Sequence, residues 1–169
     1  MKYFLKTDRL VLRDFDIPDA SFIVELLNSK GWLEFIGDRK VRTIEDAEAY
    51  LVNGPIKSYR ENGFGMCLVS LNSDDTPIGA CGLLKRDYLD HPDIGFAFLP
   101  EHAGKGYGFE SASAILRHEK ETLEIDHVLA FSVPFNVASI KLLEKLGFHF
   151  EKAFKMPGEE EELFLYSNH

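Results

Sequence analysis

Segment 8–15 alternates polar and apolar residues around Leu10, Val11 and Leu12, between Arg9 and Arg13, the pattern of a strand with one face on a core. The period then changes. Asp16 precedes Ile17-Pro18-Asp19, and Phe22, Ile23, Leu26 and Leu27 recur at helical spacing, which predicts a helix capped by Asp16 and ending near 28–30. The segment 31–38 reads as an aromatic connection, carrying Trp32 and Phe35. Thr43-Ile44-Glu45-Asp46 opens a second helix as a capping box, and a further helical piece follows the Gly54-Pro55 interruption up to Arg60. Two strands, 64–71 and 77–84, flank the turn Asn72-Ser73-Asp74-Asp75-Thr76, and a third strand is expected at 94–99. After it come a helix over 109–122, a strand over 128–133, a helix over 138–146 closed by Gly147, and strands over 148–154 and 163–166. This order predicts one α+β domain spanning 1–169, with a mixed, mostly antiparallel sheet of about seven strands and about four helices.

A chain of 169 residues with 45% hydrophobic and 28% charged positions has room for a core that needs no disulfide. Nineteen Lys and Arg against 28 Asp and Glu leave a net charge of -9, which argues against a general nucleic-acid binder and leaves room for a local basic pocket. Cys67 and Cys81 each sit inside an apolar run and read as buried, reduced thiols. The opening Met1-Lys2-Tyr3-Phe4-Leu5-Lys6 meets charge too early for a signal peptide, and no apolar run approaches the roughly 18 residues of a membrane span, so a cytoplasmic protein without a membrane partner is expected. The six histidines show no metal-ligand spacing, and no metal is expected.

The chemistry concentrates in Leu99-Pro100-Glu101-His102-Ala103-Gly104-Lys105-Gly106-Tyr107-Gly108-Phe109-Glu110, between a strand and a helix. Three alternating glycines let backbone approach a ligand closely, and the following helix start offers unpaired N–H donors to an anion. A Walker A loop is excluded because Lys105 is followed by Gly106. A dinucleotide fingerprint fails because three antiparallel strands precede the glycines and Asp126 falls before the next strand.

This turn, with Thr7-Asp8-Arg9-Leu10-Val11-Leu12-Arg13 before it and Asn136-Val137-Ala138-Ser139 through Gly147-Phe148 after it, resembles the GNAT superfamily of N-acetyltransferases, in particular its RimJ/RimL-like branch. The resemblance covers nearly the whole chain. It implies an enzyme that transfers acetyl from acetyl-CoA to a primary amine, a protein N-terminus or a small amine, by direct attack in a ternary complex. It also implies that Ala103, Gly104, Lys105, Gly106, Tyr107 and Gly108 cradle the pyrophosphate, with Ala103 where the family usually has Arg or Gln. Backbone near Phe96, Ala97 and Phe98 is then expected to meet pantetheine, in a gap between strands 94–99 and 128–133. Asn136 is either a helix cap, a cofactor contact or both, and Ser139 is either a surface hydroxyl or the proton donor to the leaving thiolate, since Leu143 stands where many relatives have Tyr. Asp93 is either a turn carboxylate or the general base. Trp32 and Phe35 either seal the core or touch the acceptor, and Glu34, Asp38 and the negative net charge suit a cationic one. The alternative is a GNAT-fold module that holds acyl-CoA without turnover; a monomer and a homodimer both remain open.

Overall fold

The computed structural model describes residues 4–169, so Met1, Lys2 and Tyr3 of the opening segment lie outside the described residues. Among the described residues, one sheet of eight strands, ordered β1-β2-β3-β4-β5-β6-β8-β7, carries helices on both faces. Its strands are β1 (Phe4–Lys6), β2 (Leu10–Asp14), β3 (Met66–Leu71), β4 (Pro77–Leu84), β5 (Asp93–Phe98), β6 (Leu129–Ser132), β7 (His149–Lys155) and β8 (Glu162–Ser167). Every neighbouring pair is antiparallel except β5 and β6.

On one face lie α1 (Ala20–Leu27), α2 (Lys30–Phe35), α3 (Ile44–Leu51) and α4 (Lys57–Asn62). Phe22, Ile23, Leu26, Leu27 and Leu51 from these helices pack with Leu68 and Ala80 of the sheet. On the other face lie α5 (Tyr107–Leu123) and α6 (Val137–Lys145), whose Ala112, Ile115 and Leu143 pack with Leu10, Leu12, Cys67 and Cys81. With both faces covered, Val11 is buried beside Leu10 and Leu12, and β2 has no solvent face of the kind its flanking charges suggest.

Local signals set most boundaries. Asp16 Oδ1 takes the Ile17 N–H at 2.8 Å and the Asp19 carboxylate takes the Asp16 N–H at 2.8 Å, so a 3-10 turn leads into α1. Thr43 and Asp46 form the expected reciprocal box, Asp46 N–H to Thr43 Oγ1 at 3.0 Å and Thr43 N–H to Asp46 at 3.1 Å. Gly147, at φ +94°, ends α6 in the left-handed region.

Two expectations are corrected. The aromatic stretch 31–38 is not an open connection: most of it is α2, driven by burial of Trp32 against the α1–α3 core. The Gly54-Pro55 pair does not break the helical path; the backbone widens into a π turn at Val52–Ile56 and passes into α4, because a wider turn accommodates a proline that has no N–H to give.

Candidate active site

Strands β5 and β6 run parallel yet share one register pair, Asp93 opposite Leu129, tied by the Leu129 N–H donating to the Pro92 carbonyl at 2.9 Å. Beyond that vertex, β5 keeps its ladder with β4 as far as Phe98 opposite Gly79, and β6 keeps its ladder with β8 as far as Ser132 opposite Phe164. The two strands diverge, and the facing edges of 94–98 and 130–132 hold backbone groups with no strand partner. Unpaired strand edges bind extended, amide-bearing ligands by main-chain hydrogen bonds. Phe96 and Phe98 turn their rings to the α5 face, whereas Ala97 faces the α1–α3 core.

Beyond the open end of β5, a 3-10 turn at Pro100–His102 leads into an exposed loop, 103–106. Gly104 at φ +73° and Gly106 at φ +84° hold the left-handed conformations that bend it, and no side chain caps the start of α5. The first N–H groups of a 17-residue helix therefore point from its positive end into this loop. Gly108 serves packing: a Cβ there would lie 2.8 Å from Leu142 Cδ2, so its absence lets α6 close on α5.

The loop has a cation that the sequence reading did not assign to it. Arg9, just before β2, donates from its guanidinium to the Lys105 carbonyl at 2.9 Å and to Glu110 Oε1 at 2.7 Å, and lies 4.5 Å from the centroid of the Tyr107 ring. Its other terminal nitrogen stands 3.3 Å from where a Gly106 Cβ would be. Glu110 also accepts from Thr7 Oγ1 at 2.5 Å and the Arg9 N–H at 3.0 Å; these bonds outweigh partial burial and hold its carboxyl below the usual range. Segment 7–13 was legible as a strand and as part of the family resemblance but not as a partner of the glycine loop, because a contact across about a hundred residues leaves no local pattern.

On the other side of the opening, Asn136 Oδ1 accepts the Ser139 N–H at 3.2 Å and so caps α6. Ser139, half-buried, has no hydrogen bond from its hydroxyl among the described residues. Phe135, exposed in the approach to α6, meets Phe35 of α2 with ring centroids 5.7 Å apart. Trp32 is buried, and its Nε1 has no hydrogen-bond partner among the described residues.

Asp93 lies at the closed vertex and is 2% exposed. Burial raises its pKa, opposed by Arg86, whose Nε donates to Asp93 Oδ1 at 3.0 Å. The Arg86 guanidinium also stacks 4.7 Å from the centroid of Phe131, so it spans β5 and β6 where they part. The thiols lie elsewhere: burial pushes Cys81 up to about 12 and Cys67 well above its ordinary value, which leaves neither as a nucleophile near neutrality. Among the described residues no group of three or more His, Cys, Asp or Glu is placed to hold a metal ion, and no helix is long and apolar enough to cross a membrane.

Residues 9–149 match the family model of the acetyltransferase (GNAT) domain. The chain belongs to the GNAT acetyltransferase family. It is 29% identical over 151 residues to the uncharacterized N-acetyltransferase YnaD of Bacillus subtilis (strain 168), covering 89% of this chain and 85% of that one. In fold it is similar to a GNAT-family acetyltransferase from Bacillus anthracis, at TM-score 0.79 and 24% identity, covering 98% of this chain and 97% of that one. A RimL ribosomal L7/L12 alpha-N-protein acetyltransferase in complex with coenzyme A aligns at TM-score 0.83 and 17% identity over 98% of this chain and 97% of that one. As a member of this GNAT family the protein is an acyltransferase, with structural neighbours in the RimJ/RimL-like branch.

Proposed function

We propose that the protein transfers an acetyl group from acetyl-CoA to a primary amine by direct attack in a ternary complex. The observation that carries this reading is the single register pair between β5 and β6, beyond which the facing edges of the two strands, from the Asp93 vertex toward the exposed glycine loop, have no strand partner. The chain's groups suit the donor: left-handed Gly104 and Gly106, the uncapped start of α5 and the Arg9 cation suit a pyrophosphate, and the unpaired edge of 94–98 suits the amides of pantetheine. The RimL neighbour bound to coenzyme A supports the same choice. When bound, acetyl-CoA supplies the activated acyl group as a thioester.

In this reading Ala103 to Gly108, with Asn136 and Ser139 across the opening, hold the donor, and the wedge orients its acyl end toward the α1–α4 face. Positioning of this kind supplies much of a bimolecular reaction's acceleration. The amine must attack in its neutral form, and with ordinary pKa values near ~8 for an α-amine and ~10.4 for an alkylamine it must give up a proton first. Asp93 is proposed as the carboxylate that draws this proton, held in place by Arg86. Ser139, with a hydroxyl uncommitted among the described residues, is proposed to protonate the leaving thiolate. Trp32 and Phe35 flank the acceptor side, with Trp32 acting from within the core.

Calorimetric titration of acetyl-CoA tests the site. Gly106→Val is expected to weaken binding at least tenfold, about 1.4 kcal/mol, because valine disfavours φ +84° and its side chain crowds the cradle. Unchanged affinity in a folded variant rejects the assignment. Ser139→Ala is expected to lower kcat with little change in donor affinity; equal turnover returns Ser139 to a surface hydroxyl.

A further inference from the structure

On the α1–α4 face, a cleft of about 820 Å³ runs between α3–α4 and the ends of β3 and β4. That volume falls within the range of small-molecule pockets. Its wall includes the π turn at Gly54 and Pro55, which widens the helical path there, together with Met66 and Leu84. It adjoins the wedge. A Cβ on Gly95 of β5 would stand 3.0 Å from Leu84 Cδ1 and 3.6 Å from Met66 Sδ, and Leu84 is the register partner of Asp93. Gly95 thus lets Leu84 and Met66 of the cleft wall pack directly against the diverging strand.

The charge of this cleft runs against that of the molecule. In a chain of net charge -9, its wall presents Arg39, Lys40, Lys57 and Lys85. The opposing carboxylates are Asp46, Glu61 and Asp87, and Asp46 already accepts the Arg42 and Thr43 N–H groups at 3.0 and 3.1 Å. Among the described residues Arg39 has no ion-pair partner. Tyr50 lies in the same wall, and the charges of Arg39 and Arg86 both reach it. Burial dominates and keeps its phenol protonated, so it is a hydrogen-bond donor in the same wall as the Arg39 guanidinium. A dicationic amine would meet repulsion here, and a guanidinium with a phenol donor binds oxyanions.

We propose that the acceptor is a small primary amine that also carries an anionic group, a carboxylate or a phosphate, and that Arg39 and Tyr50 bind that group in the cleft. The inference rests on the transferase reading above and adds the acceptor class, reversing the cationic acceptor that net charge suggested.

The test is thiol release from saturating acetyl-CoA with amines matched in length: a neutral alkylamine, a diamine, an amino acid and an aminoalkyl phosphate. The anionic amines are expected to exceed the other two by at least tenfold in kcat/KM, and whichever anion is preferred identifies its source. Arg39→Ala, a change at an exposed side chain, is expected to raise KM for that amine at least tenfold with kcat little changed, and so to shrink its advantage over the neutral amine. Tyr50→Phe is expected to raise the same KM. Preference for the diamine or the neutral amine, or an unchanged KM in Arg39→Ala, overturns the acceptor assignment and leaves the transferase reading standing. Release from peptide N-termini alone overturns the acceptor assignment only, and bound acetyl-CoA with no release on any of these amines or on a panel of peptide N-termini overturns the transferase reading and this inference with it.

Discussion

At the scale of single residues, the least visible contributor is Arg9. Its charge reads in the sequence as the polar edge of a strand, yet its guanidinium spans Lys105, Tyr107 and Glu110 at the glycine loop. Arg9→Ala is expected to weaken acetyl-CoA binding about threefold to tenfold, roughly 0.7–1.4 kcal/mol, and to reduce its salt dependence, read by titration at low and high ionic strength. Glu119 of α5 tests a different balance. Its side chain is buried, its Oε2 has no hydrogen-bond partner among the described residues, and burial followed by the charge of Asp14 raises its pKa to about 7. A carboxyl raised in the folded state costs no stability while protonated; the cost begins as pH rises past the unfolded value near ~4.3 and is complete above the folded value. Glu119→Gln is therefore expected to raise Tm at pH 8 and to change it little at pH 4. A larger gain at pH 4 than at pH 8 contradicts this account of Glu119.

At the scale of elements, periodicity and caps made most of the chain legible, because helix starts and hairpin turns are written locally. Thr43 and Asp46 were readable as a box and form one, and Thr43→Ala is expected to cost about 1 kcal/mol in chemical denaturation. Strands 77–84 and 148–154 were readable within about a residue, with β4 at Pro77–Leu84 and β7 at His149–Lys155. The helix in 31–38 was hidden, since a single buried Trp32 with Leu33 and Phe35 gives too short a period to separate a helical turn from a loop. The π turn was hidden for another reason: Gly54-Pro55 signals interruption, whereas the path stays helical with Leu51 and Ile56 on either side packed into the core of the α1–α4 face. Strand β1 was not read at all, because three residues paired to β2 through Phe4–Arg13 to Lys6–Val11 leave too short a pattern.

At the scale of the whole molecule, function depends on what the sheet does between elements. The two motifs at 103–108 and 136–148 were legible, and the structure brings the starts of α5 and α6 to the two sides of one opening. The cleft on the opposite face was not legible, since its cations come from 39–40, 57 and 85, separated along the chain and gathered only by the fold. Net charge suggested a cationic acceptor, whereas the proposed acceptor carries an anion, because a sum over 169 residues says little about one wall. The burial of Cys67 and Cys81, with both thiols held protonated, argues against an acyl-enzyme on either cysteine and fits the proposed direct transfer between two bound substrates. Initial-rate kinetics of thiol release, varying acetyl-CoA and amine together, tests that claim most directly. The account predicts release only when an amine is present and intersecting double-reciprocal lines, the mark of a ternary complex. Parallel lines, with a burst of thiol in the absence of amine, would contradict it.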